Sequence, residues 1–111
     1  MDIEEMSIRA MQIRRRFEQF EARSYGQTWS SDDLVLGFVK DVGDLAAAVQ
    51  LVEGRRPAGA ADPRDALRHE IADCIWALLV IANRFDDDPA VAFSETMDEL
   101  DTWLDRQTPT E

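Results

Sequence analysis

Two short acidic patterns in the 111-residue chain could do chemistry. Asp41 and Asp44 lie in Lys40-Asp-Val-Gly-Asp-Leu, and Glu70 and Asp73 lie in His69-Glu-Ile-Ala-Asp. Residues three apart share a helix face, so on helices each pair aims two carboxylates in one direction. Both pairs border apolar runs: Val42 and Leu45 flank the first, and Ile71, Cys74 and Ile75 flank the second. A carboxylate at the edge of a core is costly unless it is paired or bound to metal. Four such groups facing one another repel, and a divalent cation removes the repulsion. Hard oxygen ligands suit Mg²⁺ or Mn²⁺. Gly43 costs a helix roughly 1 kcal/mol against Ala, and its lack of a side chain would allow close approach of another helix or a ligand. Acids at this spacing also decorate ordinary solvated helices. The case for a site rests on there being two pairs, each beside an apolar run.

The elements that must position these acids are helices. Ile3, Met6, Ala10, Ile13, Phe17 and Phe20 recur at three- and four-residue steps, predicting a first helix from about Ile3 to Ala22 with one apolar stripe. Its Arg14-Arg15-Arg16 run reads as a solvated face. A polar loop from Arg23 to Trp29 follows. A second helix starts at Ser30 or Ser31, either of which can cap it, with Asp32 and Asp33 suited to the positive end of the dipole. It runs to about Glu53, with Leu34, Phe38, Val42, Leu45, Val49 and Val52 on one side. A third starts at Asp62-Pro63, an N-cap followed by proline in the first turn, and continues to about Phe85. From Ile71 onward it is apolar nearly all round, which predicts a helix surrounded by protein. So small a monomer can hardly cover it on every side, so the pattern predicts a helix-mediated oligomer. A fourth helix starts at Asp88-Pro89 and ends near Arg106. Residues 1–107 read as one all-α domain, and Thr108 to Glu111 as a loose tail. Neither an internal repeat nor a strand pattern is evident.

Composition narrows the partners. Hydrophobic residues make up 45% of the chain, enough for a core. The net charge of −11 repels nucleic acid on average and argues against a broad DNA-binding surface. The single cysteine, Cys74, precludes an intrachain disulfide and sits in an apolar run, as a small buried residue would. The start, Met1-Asp-Ile-Glu-Glu, lacks the basic and apolar regions of a signal peptide. The longest apolar stretch, Cys74 to Ala82, is far short of the ~20 residues of a membrane span. A cytoplasmic protein without membrane association is the expectation.

With these patterns in place, the sequence resembles the all-α nucleoside triphosphate pyrophosphohydrolases of the MazG-like and dimeric dUTPase-like group. Trp29-Ser-Ser-Asp-Asp-Leu-Val-Leu-Gly-Phe-Val-Lys-Asp-Val-Gly-Asp-Leu resembles that family's Trp-led entry into a helix bearing Glu-x-x-Glu. Glu70-Ile-Ala-Asp-Cys-Ile-Trp-Ala-Leu-Leu resembles its Glu-x-x-Asp helix, and Phe93 to Arg106 its last helix. The resemblance covers about residues 29 to 106. It implies a four-helix bundle-like protomer assembled as a homodimer or tetramer. It also implies Mg²⁺-dependent hydrolysis of an NTP or dNTP to the monophosphate and pyrophosphate. Carried over by motif, Asp41, Asp44, Glu70 and Asp73 would hold the metal, with Asp41 or Asp44 as the group that orients the attacking water. Two departures stand out: Asp41 and Asp44 replace the family's first Glu pair, and Lys40 replaces the acid before it. The family's last-helix lysine is also missing, which leaves Arg84 or Arg106, beside Lys40, to meet phosphate.

Other residues admit two readings each. Trp29 could stack on a base or cover the end of the bundle. Asn83 could hydrogen-bond a nucleotide or cap the third helix. Trp76 and Trp103 read as core or subunit contacts. His69, one residue off the Glu70/Asp73 face, reads as a surface residue, and its isolation argues against a di-iron carboxylate bundle. Two other functions stay open beside the hydrolase. One is a non-catalytic relative that binds a nucleotide or protein partner. The other is a helical scaffold with all four acids in solvent.

Overall fold

The computed structural model describes residues 1–107, and the predicted tail at 108–111 lies outside the described residues. Four helices account for the fold: α1 (Ile3–Tyr25), α2 (Ser31–Val52), α3 (Pro63–Arg84) and α4 (Pro89–Gln107). The chain is all-α, with no strand among the described residues. Local chemistry sets the helix starts. The Asp2 carboxylate accepts from the Glu5 N–H at 2.8 Å, and Ser30 and Asp33 form a reciprocal capping box. The Asp62 carboxylate accepts from Arg64 N–H, and Asp88 Oδ1 from the N–H groups of Ala90 and Val91. Of the two candidate serines, Ser30 caps α2, while Ser31 Oγ accepts from Arg84 Nε at 2.7 Å.

Helix α1 runs three residues past the predicted Ala22. Its stop is Gly26 at φ 75°, a left-handed position that glycine adopts without steric cost. Between α3 and α4 the same left-handed geometry falls on Asp86 (φ 54°), a residue type that tolerates it. Asn83 stays inside α3 with an exposed side chain, so the capping reading of Asn83 does not hold.

Helices α2 and α3 pack along their length as an antiparallel hairpin, joined at one end by the Ser31–Arg84 bond. Leu34 and Ala48 on α2, and Cys74, Ala77, Leu79 and Val80 on α3, are buried in or beside this seam. Helix α1 lies on α3. Trp76 Nε1 donates to the Ala10 carbonyl at 3.1 Å, and the Phe17 and Trp76 rings sit 5.8 Å apart. Helix α4 packs mainly on α1, where Asp88–Ala90 meet Ile3, Glu4 and Ser7. None of its residues is buried, so Trp103 is no part of this chain's own core. No helix among the described residues is long and apolar enough to cross a membrane.

Two sequence readings of α1 need correction. The α1 stripe is only partly inside: Ala10 is buried, Met6 and Ile13 are half-buried, and Phe17 and Phe20 are about half exposed. The reason is that the inner face of α1 carries a buried ion pair. Arg14, read as part of a solvated run, is 3% exposed and grips Glu21 with two bonds of 2.7 and 2.8 Å. Glu21 also accepts from the Trp29 N–H, and the Arg14 guanidinium lies over the Trp29 ring. The pair thereby pins the loop that leads into α2. Removing one partner of a buried pair strands the other charge. Arg14→Ala or Glu21→Ala should cost about 3–5 kcal/mol in urea unfolding, while the double change to Met should recover most of the loss.

Candidate metal and nucleotide site

The antiparallel register set by Ser31 and Arg84 brings Asp41 level with Asp73 and Cys74, and Asp44 level with Glu70 and Ile71. Asp41 lies on the same face as Leu34, Phe38, Leu45 and Ala48, so α2 carries a carboxylate within its packing stripe. All four acids are half-buried. Their fields overlap: burial raises the Asp41 pKa above the ordinary Asp range, and the charges of Asp73 and Asp44 add to the rise against Lys40. The Cys74 thiol, pushed up chiefly by its burial, also feels all four acids.

The four carboxylates differ in what holds them. Asp44 pairs with Lys40 at 2.9 Å. That hydrogen bond, and then the Asp44 charge, raise the Lys40 pKa, with smaller contributions from Asp41 and Glu70. Asp73 receives His69 Nε2 at 3.1 Å. Glu70 is different: its Oε2 is buried and has no hydrogen-bond partner among the described residues. A buried acceptor left in that state costs on the order of 1–3 kcal/mol.

His69 is exposed, as expected of a surface residue, yet one ligand atom each from His69, Glu70 and Asp73 lie within 4.8 Å of one another, a group that neither Asp41 nor Asp44 joins. The sequence reading missed this contribution. The signal was the i, i+4 spacing of His69 and Asp73, which lets the imidazole reach along the helix. Gly43 is exposed, and a Cβ there would meet nothing within 4 Å, so close approach of α3 does not require it.

The remaining candidates divide into two sets. Trp29 and Lys40 line one open groove of about 650 Å³ with Tyr25, Thr28, Leu36 and Gly37. Lys40 thus borders both the groove and, through Asp44, the acids. Trp29 is 42% exposed, with Arg14 over its ring and Gly37 against its edge. The structure does not bring Asn83, Arg84 or Arg106 to the acids. Arg84 is tied to Ser31, ten residues or about 15 Å along α2 from Asp41, and Asn83 shares that end of α3. Arg106 lies on α4 near Asp98, Glu99, Thr102 and Trp103.

The chain matches no protein-family model, no curated protein and no solved structure.

The raised Asp41 pKa fixes a pH dependence. The folded chain keeps the Asp41 proton at pH values where the unfolded chain has lost it. Stability therefore falls as pH climbs from the ordinary Asp range through the raised folded value, and the loss is complete above it. Without divalent cation, Asp41→Asn should melt at a higher temperature than the parent at pH 7. The gap should close below about pH 4. A second substitution tests the backbone alone: Gly43→Ala should stabilise α2 by about 0.5–1 kcal/mol in chemical denaturation.

Proposed function

We propose that the α2–α3 hairpin binds a divalent cation and that the chain is a MazG-like nucleoside triphosphate pyrophosphohydrolase, assembled as a homo-oligomer. The observation that supports this reading is the unpartnered, buried Glu70 oxygen beside Asp73 and His69 on α3, with Asp41 and Asp44 on α2 near enough to act on the same buried Cys74 thiol. The donor set fits Mg²⁺ or Mn²⁺, which favour hard carboxylate oxygens. Asp41, Asp44, Glu70 and Asp73 are the residues to hold the ion. When bound, the metal would neutralise triphosphate charge and make its water a better nucleophile.

The chain's own residues supply the rest. Asp41, half-buried beside the seam, is suited to hold and orient a water molecule next to the ion. Lys40 offers a positive charge between the acids and the open groove, where phosphate would pass. Trp29 offers a partly exposed aromatic surface in the same groove. A protein of net charge −11 needs such compensation to admit a polyanionic substrate.

One observation favours a second reading, a non-catalytic relative that binds a nucleotide or partner. Lys40 already neutralises Asp44, at the position where the resembled family carries an acid. Pyrophosphate release from a panel of NTPs and dNTPs, with Mg²⁺ or Mn²⁺, separates the two. The enzyme reading expects metal-dependent turnover, reduced at least about 10- to 100-fold by Glu70→Gln or Asp73→Asn. Thermal stabilisation by metal without turnover on any nucleotide would select the binding module. Neither response would leave a scaffold.

A further inference from the structure

Helix α4 is amphipathic but has almost nothing to pack against in its own chain. Phe93, Met97, Leu100 and Trp103 follow one another at helical spacing and are 39–67% exposed. A helix in water draws most of its stability from burying such a face, so this one is built for a surface that its own chain does not present to it.

A matching surface lies on α1 and α3. One trough beside α1, of about 480 Å³, is lined by Ile13, Phe17 and Phe20 and rimmed by Arg16 and Arg23. It continues through Ile13 into a smaller, mostly apolar trough formed with Ile75, Trp76 and Leu79 of α3. Among the described residues Arg16 and Arg23 form no ion pair. Helix α4 carries Glu95, Asp98, Glu99, Asp101 and Asp105 against one base, Arg106. An acidic amphipathic helix and an arginine-rimmed apolar trough are complementary in both polarity and charge.

The size of the chain's surface points to the occupant. The radius of gyration is 18.0 Å, where a compact domain of this length has about 13 Å. The accessible surface is 8690 Å², whereas a folded monomer of 12.6 kDa exposes about 6,200 Å². The excess of about 2,500 Å² is what each copy contributes to a large obligate homodimer interface.

We infer that α4 of one copy docks in the α1–α3 trough of a second copy, and reciprocally, so that two identical contacts related by a two-fold axis close the dimer. The inference rests on the proposed self-association and is independent of the cation site. Sedimentation equilibrium of the full chain at micromolar concentration should give twice the protomer mass. Phe93→Ser with Leu100→Ser should weaken the dimer at least about tenfold, and so should Arg16→Glu with Arg23→Glu. If these variants lose helicity, cross-linking decides instead. A copy bearing Phe20→Cys mixed with a copy bearing Met97→Cys should join through a short bismaleimide, since Cys74 is buried. A stable monomer would overturn the inference together with self-association. A dimer that both double variants leave unchanged, or a link that forms only within one chain bearing both cysteines, would overturn the α4 docking alone.

Discussion

The packing of α2 on α3, which draws acidic side chains to the edge of an apolar seam, is the constraint on which the rest depends. Packing α2 on α3 buries Leu34, Ala48, Cys74, Ala77 and Val80, and leaves Asp41, Asp44, Glu70 and Asp73 half-buried beside them. Lys40 pairs with Asp44 on α2, and His69 pairs with Asp73 on α3. Asp41 meets the constraint with a raised pKa, and Glu70 leaves an oxygen unsatisfied. A cation fits this arrangement because it would satisfy the two groups the chain leaves unrelieved. The two intrachain partners are both exposed and on flexible side chains, so they can yield to an incoming ion without disturbing the core.

Where local chemistry governs, the sequence was legible. Capping residues marked the starts of α2, α3 and α4, and the three-residue spacing of Glu70 and Asp73 places the two carboxylates together on α3. Pairing between helices was harder. Arg14 and Glu21 are seven apart on α1, two turns, and a run of three arginines hides which one turns inward. Trp29 and the entry to α2 close over that position from a distant part of the sequence. The apolar stripe of α1 was legible as a stripe but not as the wall of an open trough, because periodicity reports a face and not what covers it.

The same limit explains α4. Its periodicity marks an amphipathic helix in the same way as that of α1. Yet its apolar residues find no interior within the chain, because α4 packs mainly and sparsely on α1. Arg106 is thereby carried away from the acids, and Arg84 is spent on holding the ends of α2 and α3 together. Of the cationic candidates for phosphate, Lys40 alone lies beside both the groove and the carboxylates.

The central claim is that the seam between α2 and α3 holds a divalent cation. Titration of Mn²⁺ into the metal-free protein, followed by electron paramagnetic resonance of the free ion, tests it without requiring a substrate. Saturable binding that is competed by Mg²⁺ and lost in Glu70→Gln is the predicted result. Free Mn²⁺ rising from the first addition, identically for the parent and Glu70→Gln, would contradict it.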